Sequence, residues 1–248
     1  MLKPIVASRK GSVGKSTTAV HLAAALALAN VRTLLVDTDG QGNSARMLGV
    51  TPESGLSEVL EGNVPIEKAM IQPRPTLFLL SGSKALAGFA RIIARQQFDW
   101  QHVLSQALQP IDGTFDFVVV DTAPGFGELS INALFYGTEI LVPVSMEVLA
   151  VYGFVDFLAE LEPIRKRSRI EIKYVLPTMP DHRKGLTEDV FKQLQERFPK
   201  QYYEPIPYMT HIGQLAREGK TIFEVNTEAK QSVAYAKLYR RILENGAA

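Results

Sequence analysis

Residues 9 to 17 read Arg9-Lys10-Gly11-Ser12-Val13-Gly14-Lys15-Ser16-Thr17, between a short apolar run at 4–8 and an apolar helical pattern that begins at Ala19. Glycines let a backbone approach a ligand closely, and a loop between strand and helix presents N–H groups and the positive helix end to phosphates. In such a loop Lys15 reaches the β and γ phosphates, and the Ser16 hydroxyl ligates Mg²⁺. The stretch therefore predicts a loop that binds the phosphates of a nucleotide.

Outward from this loop, short β-branched or aliphatic runs alternate with longer helical patterns. The predicted strands are 4–8, 33–37, 76–81, 117–121, 139–144, 170–176 and 203–207. The predicted helices are 15–29, 87–108, 129–136, 149–164, 186–198 and 229–243. Runs such as 117–120 are apolar throughout, as are parallel strands covered on both faces. The pattern predicts an α/β fold with a doubly wound, mostly parallel sheet, helices on both faces, and one domain over 1–248.

The composition excludes several classes of protein. The 248 residues include no cysteine, which removes disulfides, cysteine-ligated zinc, iron–sulfur clusters and thiol catalysis. Lysine and arginine number 27 against 26 acidic residues, a formal net charge of +1 that gives no sign of a strong constitutive DNA-binding protein. The most apolar run, 21–31, is too short to span a membrane and no export signal is visible, so we expect a cytoplasmic protein.

Carboxylates follow two of the predicted strands. Asp37 closes the second strand with Asp39 just beyond it, and Asp121 ends the apolar run 117–121. Ligands of doubly wound sheets bind at the carboxyl ends of the strands. Asp121 has the position of a Walker B acid that holds Mg²⁺ directly or through water. Either Asp37 or Asp39 can face the phosphates, and one of them can instead cap a helix that begins near Asn43.

The loop departs from the general pattern G-x-x-x-x-G-K-[ST], because the first glycine falls on Arg9 and an extra lysine, Lys10, follows. Lys10-Gly11-x-x-Gly14-Lys15-Ser16 resembles the deviant phosphate loop of the ParA/MinD family of P-loop ATPases. The resemblance implies that Lys10 reaches across an ATP-sandwich dimer to the partner's phosphates, like an arginine finger supplied in trans. Ser12 stands where the family loop usually has glycine, so a positive φ there would strain it.

The resemblance also assigns the remaining site residues. The family's second signature, D-x-D-P-Q-G-N, matches 37–43 with Gly40 in place of proline. The match implies that Asp39 orients or activates the attacking water and that Asp37 supports the Mg²⁺ shell. Ile206-Pro207 and Gly219-Lys220 match the family's adenine-pocket pattern. The implied catalytic residues are Lys10, Lys15 and Asp39. The implied nucleotide contacts are Lys10, Gly11, Ser12, Val13, Gly14, Lys15, Ser16, Thr17 and Pro207, and the implied Mg²⁺ ligands are Ser16, Asp39 and Asp121.

Two features bear on DNA. Tyr208 and His211 stand where many relatives carry arginines linked to DNA contact. Between 164 and 184, however, cations outnumber acids by five, either as a solvated face or as a contact for phosphate backbones. The cations of this basic segment are Arg165, Lys166, Arg167, Arg169, Lys173, Arg183 and Lys184, set against Glu171 and Asp181.

The resemblance implies an ATP hydrolase of the short ParA type, which lacks an N-terminal helix-turn-helix domain. ATP and Mg²⁺ would drive homodimerisation, the dimer would bind nucleoid DNA non-specifically, and a ParB-like or adaptor protein would stimulate slow hydrolysis. The cargo would be a plasmid, a chromosome or a protein complex. A first alternative is a MinD-like ATPase held on membranes by a basic amphipathic tail at 236–243. A second is a carboxylate-activating metabolic enzyme, although no small-molecule pocket is evident from the sequence.

Overall fold

A computed structural model describes residues 1–94, 99–146, 148–179 and 186–246 of the chain. Its strands form one sheet in the order β3-β4-β2-β5-β1-β6-β7. Neighbouring strands are parallel except for the antiparallel pair β3–β4. The strands are β1 (Pro4–Val6), β2 (Thr33–Asp37), β3 (Ile71–Arg74), β4 (Leu77–Leu80), β5 (Phe117–Asp121), β6 (Glu139–Ser145) and β7 (Glu171–Thr178). The predicted α/β class with a mostly parallel sheet is confirmed.

Helices cover both faces of the sheet. Val118 and Val120 of β5 pack into one apolar cluster, whereas Val119 packs into the other, so the strand is buried on both sides. The α-helices are α1 (Lys15–Leu28), α2 (Asn43–Leu48), α3 (Leu56–Leu60), α4 (Ile66–Ala69), α5 (Phe89–Ala94), α6 (Val103–Leu108), α7 (Glu128–Tyr136), α8 (Val148–Ser168), α9 (Leu186–Arg197), α10 (Ile212–Glu218), α11 (Ile222–Val225) and α12 (Lys230–Gly246). This double burial explains why the run 117–121 has no polar alternation.

The segment 203–207 does not form the predicted strand. It runs beside β7 and exchanges backbone hydrogen bonds with it, but only two isolated bridges, Val175 with Tyr202 and Thr178 with Ile206, are formed. Pro205 and Pro207 have no N–H group and interrupt the ladder. The predicted strand was wrong, because the prediction followed the aliphatic and aromatic residues of the segment and did not take the two prolines into account.

Other elements differ from prediction as well. The short helices α3, α4, α10 and α11 are not predicted from the sequence, and two further differences have a clear local cause. No strand is predicted at β3, which contains Pro73, a residue that disfavours a ladder position. The predicted helix 87–108 is divided into α5 and α6, with residues 95–98 outside the described part. Asp99 has a left-handed φ of 58° at the start of a 3-10 turn, Trp100–His102, and this backbone conformation ends any continuous helix.

The strand order places the phosphate loop beside both acidic strand ends. β5 lies between β1 and β2, and the register pairs Val6 with Asp121 on one side and Asp37 with Asp121 on the other. The chain reverses its direction of winding around these central strands, where doubly wound sheets bind ligands. The carboxyl ends of β1, β2 and β5 thus form one site.

Candidate nucleotide-binding site

The phosphate loop is held together by its own lysines. Gly14, at a φ of 89°, is the N-cap of α1, and Lys15 is the first residue of the helix. The Nζ of Lys15 donates to the carbonyl oxygen of Lys10 at 3.2 Å, and the Ser8 hydroxyl donates to the same oxygen at 3.0 Å. Ser12 has a φ of 60°, so the expected strain at this position is present in the backbone.

Lys15 is buried between carboxylates. Its side chain lies among groups that leave the residue only 6% exposed, and this burial lowers its pKa. The nearby charges of Asp121 and, to a smaller extent, Asp39 act in the opposite direction. A buried cation between two acids is suited to bind an anion that is itself accompanied by a metal ion.

Asp121 is fully buried, and neither of its carboxylate oxygens has a hydrogen-bond partner among the described residues. Burial raises its pKa well above the ordinary value, the neighbouring Asp37 raises it further, and Ser16 and Lys15 lower it. Mg²⁺ binds hard oxygen ligands and often uses one or two carboxylates together with phosphate oxygens. The unpartnered Asp121 beside the Ser16 hydroxyl fits this ion.

Asp37 stabilises the loop that follows β2. Its Oδ1 accepts the N–H of Asp39 at 2.9 Å, and its Oδ2 accepts the N–H of Ser44, in the first turn of α2, at 3.1 Å. Burial raises its pKa to about 6. Of the two acids considered for the helix cap, Asp37 therefore makes the bond to α2.

Asp39 is half-buried and borders a cleft. Its Oδ1 accepts the N–H of Gln41 at 2.9 Å. The cleft has a volume of about 560 Å³ and is lined by polar groups that include Lys84 and by apolar groups that include Phe89 and Leu129. No small-molecule pocket is evident from the sequence, and the structure shows an open cleft beside Asp39.

Sequence reasoning missed Gly82, which follows β4. A Cβ at this position would lie 2.2 Å from the carbonyl oxygen of Asp39 and 2.8 Å from that of Asp37. Only glycine allows the backbone after β4 to approach the acidic loop this closely. The one sign of this role in the sequence is that Gly82 directly follows the predicted apolar strand 76–81.

Pro207 lies close to the phosphate loop. It lines a narrow cleft of about 40 Å³ that starts at the N-terminal turn of α1. The Thr178 hydroxyl at the end of β7 donates to the Val13 carbonyl at 2.9 Å and joins the two sides. The lining residues are Gly14, Thr17, Thr18, Thr178, Met179, Ile206, Pro207, Tyr208, Met209, Ile212 and Tyr235.

Arg9 and Lys10 lie against α8. Arg9 forms ion pairs with Asp156 at 2.7 Å and with Glu160 at 3.2 Å. A Cβ on Gly153 would lie 3.7 Å from the Cβ of Lys10, which places this lysine over the first turns of the helix. On the same helix Tyr152 is 67% exposed.

The basic segment lies where α8 ends and β7 begins. This is the amino-terminal end of the strands, opposite the carboxyl ends that form the site. Lys166, Arg167 and Arg169 are exposed there, and Lys173 pairs with Glu171 at 2.9 Å. Arg183, Lys184 and Asp181 lie outside the described residues. Tyr208 and His211, at the positions where relatives often have arginine, are both exposed.

The C-terminal tail considered for membrane binding is a helix of the core. Tyr235, Leu238 and Ile242 on α12 are almost completely buried, and α12 packs on α1. Across the described residues, no helix combines the length and apolar character needed to cross a bilayer.

A phosphate loop at the switch point of a parallel sheet, with buried acids at the ends of β2 and β5, defines a P-loop ATPase. The family model described as "AAA domain" matches residues 3–174. The chain is 31% identical to the chromosome partitioning protein ParA of Caulobacter vibrioides over 96% of this chain and 92% of that protein. It is 34% identical to the chromosome-partitioning ATPase Soj of Thermus thermophilus over 96% and 94%, respectively.

Among solved structures, the cobyrinic acid a,c-diamide synthase of Mycobacterium smegmatis with bound ADP and magnesium superposes with a TM-score of 0.85. That protein is 28% identical, and the match covers 100% of this chain and 96% of the other. Together, the family match and the two partitioning relatives show that the chain belongs to the ParA family of P-loop ATPases.

Proposed function

We propose that the protein is a positioning ATPase that dimerises on ATP, binds DNA without sequence preference, and releases it when a partner protein stimulates hydrolysis. It would act on nucleoid DNA in the cytoplasm, and its partner would be a ParB-like or adaptor protein. The observation that supports this most strongly is the convergence of Lys15, Asp39 and Asp121 at adjacent strand ends.

In this proposal the loop from Gly11 to Thr17 binds the phosphates through backbone N–H groups, and Lys15 contacts the β and γ phosphates. Ser16, Asp39 and Asp121 hold Mg²⁺, which neutralises charge on the phosphate oxygens. Asp39, which borders the open cleft, orients the attacking water. Asp37 keeps Asp39 in place, because it bonds to the Asp39 backbone and to the start of α2.

Dimerisation would complete the site. Lys10 lies over α8 at Gly153, and the same helix exposes Tyr152 and Val155 by 67% and 51%. A helix that carries exposed apolar groups and lies against the extra lysine suits the face that meets a second copy. There Lys10 would stabilise charge on the partner's nucleotide, which explains why hydrolysis would be slow in a lone protomer.

The basic segment would contact the DNA backbone. Along α8, the exposed Lys166 lies about 20 Å beyond Gly153, where the phosphate loop contacts the helix, and Arg167 and Arg169 are exposed just after it. A dimer presents the segment twice, so contacts that are weak in a monomer become additive in the dimer. Binding would then depend on the nucleotide and fall steeply with salt.

The proposal is tested by co-sedimentation of the protein with DNA or with anionic liposomes, each with MgATP or MgADP. We expect DNA to capture the protein with MgATP but not with MgADP, and liposomes to capture it with neither nucleotide. The C-terminal segment that would bind a membrane is part of α12, which is packed on α1. ATP-dependent capture by liposomes without capture by DNA would instead support the membrane-associated alternative.

The cleft beside Asp39 favours a second candidate, an ATP-dependent enzyme that activates a small carboxylic acid. At about 560 Å³ the cleft can admit such a substrate, and Lys84 could pair with its carboxylate. The structural relative from Mycobacterium smegmatis is named as a synthase. ATP turnover without DNA or protein, stimulated by a panel of small acids and reduced in Lys84→Ala, would support this candidate. Turnover indifferent to acids would exclude it.

A further inference from the structure

Arg74, at the end of β3, joins three helices at the edge of the sheet. Its Nη1 donates to the carbonyl oxygens of Leu48 at 3.2 Å and Pro73 at 2.8 Å, and its Nη2 donates to that of Gly219 at 2.6 Å. Nε and Nη2 donate to the two carboxylate oxygens of Glu224 at 2.8 and 3.3 Å. These bonds use every N–H group of the guanidinium. Leu48 ends α2, Gly219 caps α10 and Glu224 lies in α11, so one side chain holds all three helices.

The C-terminal ends of α2 and α10 meet at Arg74. Their C-cap residues, Gly49 and Gly219, have left-handed φ angles of 70° and 63°. A Cβ on Gly219 would lie 2.4 Å from the Cα of Gly49, so the two helix ends approach as closely as glycine allows. Each helix C-terminus carries partial negative charge, and two such ends side by side repel each other. A cation that bonds to a carbonyl of each offsets this repulsion.

Arg74 is itself fixed relative to the phosphate loop. Glu224 accepts the N–H of Thr221 at 2.7 Å in a capping box at the start of α11. Burial acts to raise the pKa of Glu224, but the bonds from Arg74 and Thr221 outweigh it, so the pKa is lowered and the carboxylate is charged. In the same turn the Ile222 N–H donates to Nε2 of the buried His21 at 3.2 Å. Because His21 belongs to α1, Arg74 is connected to the helix that starts at the phosphate loop.

The other end of α2 holds the acidic loop. α2 has only six residues, and its N-cap, Gly42, makes no side-chain bond to it. A helix this short is not stable in isolation, so its position depends on contacts with its surroundings. Its first turn is bonded through the Ser44 N–H to the carboxylate of Asp37, which also accepts the N–H of Asp39. A shift of α2 would therefore displace Asp39, since both bonds converge on one carboxylate.

We propose that Arg74 is a positioning residue for ATP hydrolysis, which fixes α2 relative to the helix of the phosphate loop and thereby keeps Asp39 in place against the attacking water. The proposal rests on the proposed function of Asp39. A misplacement of about 1 Å at a reacting centre can reduce the rate about 10²-fold, even when the altered residue lies far from the chemistry. Loss of Arg74 should therefore slow hydrolysis although the phosphate loop itself is unchanged.

The test compares Arg74→Ala with a matched control, Arg241→Ala. Arg241 also donates to two backbone carbonyls, those of Tyr202 at 3.3 Å and Lys200 at 2.8 Å, but it joins α12 to the segment beside β7. Phosphate release at saturating Mg²⁺ gives kcat and KM for ATP, and calorimetry with a non-hydrolysable ATP analogue gives Kd and the number of sites. Thermal melting sets an assay temperature at which each variant is folded. If Arg74→Ala does not fold, Arg74→Lys takes its place, because lysine keeps the charge but lacks the planar fork of five donors.

We expect Arg74→Ala to lower kcat about tenfold or more, with KM and Kd within about threefold of the wild type, because Lys15 and the backbone donors of the loop remain. Arg74→Lys should lower kcat less, and Arg241→Ala should leave it unchanged.

A folded Arg74→Ala with the kcat of the wild type, or one that loses no more than Arg241→Ala, would refute the positioning role while the ATPase stands. So would weaker binding with an unchanged kcat, or, where only the lysine variant folds, a wild-type kcat in that variant. A wild type that hydrolyses no ATP would refute the proposed function together with this role.

Discussion

The ammonium group of Lys15 donates a hydrogen bond to the backbone carbonyl of Lys10 over 3.2 Å, which joins the two lysines of the phosphate loop directly. The lysine common to all P-loops thus fixes the backbone of the extra lysine, while the Lys10 Cβ lies over Gly153 of α8. Their side chains consequently belong to different surfaces. Lys15 is buried among the acids of its own site, and Lys10 lies toward the face proposed to meet a second copy.

Replacing Lys10 should therefore separate binding from hydrolysis. We expect Lys10→Ala to bind MgATP within about threefold of the wild type, because Lys15 and the backbone donors remain. Partner-stimulated hydrolysis should fall by about 10³-fold or more, the effect of losing an arginine finger. The control is Lys68→Ala, which removes an exposed cation of α4. Undiminished stimulated hydrolysis in Lys10→Ala would remove the proposed role in trans.

Ser12 should be replaceable with a gain in stability. Its φ of 60° costs an L-residue about 1–2 kcal/mol, and glycine adopts it freely. After the entropy that glycine adds to the unfolded chain, we expect Ser12→Gly to raise the free energy of unfolding by about 0.5–1 kcal/mol in urea titrations. Ser54→Gly, at a loop residue without positive φ, should lower it. Destabilisation by Ser12→Gly would show that the serine side chain supports the loop.

Glu139 should make stability depend on pH. It is 7% exposed at the start of β6, its Oε1 has no hydrogen-bond partner among the described residues, and burial raises its pKa to about 7. Because the folded-state pKa exceeds the unfolded one, this carboxyl favours folding least at high pH, and stability is lost as the pH rises through about 7.

Glu139→Gln should remove most of that loss. The free energy of unfolding of the variant minus that of the wild type should increase by on the order of 2–3 kcal/mol from pH 5 to pH 9. Urea titrations across this range measure the difference. An exposed acid, Glu67 on α4, provides the control as Glu67→Gln, for which we expect a flat difference. An equally flat difference for Glu139→Gln would contradict the burial argument.

The basic segment should account for DNA affinity. Reversing Lys166 and Arg167 to glutamate should weaken ATP-dependent DNA binding and reduce the slope of log affinity against log salt by about one per lost phosphate contact. ATP binding should not change, since the segment lies at the amino-terminal end of the strands and the nucleotide site lies at their carboxyl ends. Lys68→Glu, on the exposed face of α4, is the control. DNA binding that survives the double reversal would assign the contact to another surface.

The sequence predicted which residues meet at the strand ends better than it predicted the edges of the sheet. Lys15, Asp39 and Asp121 stand in local motifs whose strand, loop and helix context can be recognised from residue order alone. The role of Asp37 was left open, because which of two acids bonds to Ser44 depends on the path of a loop. The contact of Gly82 with the Asp39 backbone joins segments more than 40 residues apart.

Two of the incorrect elements involve proline. Pro73 lies inside a real strand, β3, and Pro205 and Pro207 lie in a segment that only resembles one. In both cases the neighbouring chain decides whether the missing N–H is needed. β3 is a short strand at the sheet edge and tolerates a proline, whereas the segment beside β7 cannot complete its ladder.

The central claim is that ATP assembles a dimer that binds DNA, and Asp39→Ala tests it most directly. Removing the carboxylate proposed to orient the attacking water should block hydrolysis and trap the ATP state, while Asp37 still supports the loop. Size exclusion with MgATP, followed by retention on DNA, provides the measurement. We predict a stable dimer that is retained with ATP and released with ADP. A variant that remains monomeric with bound ATP, or a trapped dimer that ignores DNA, would contradict the account.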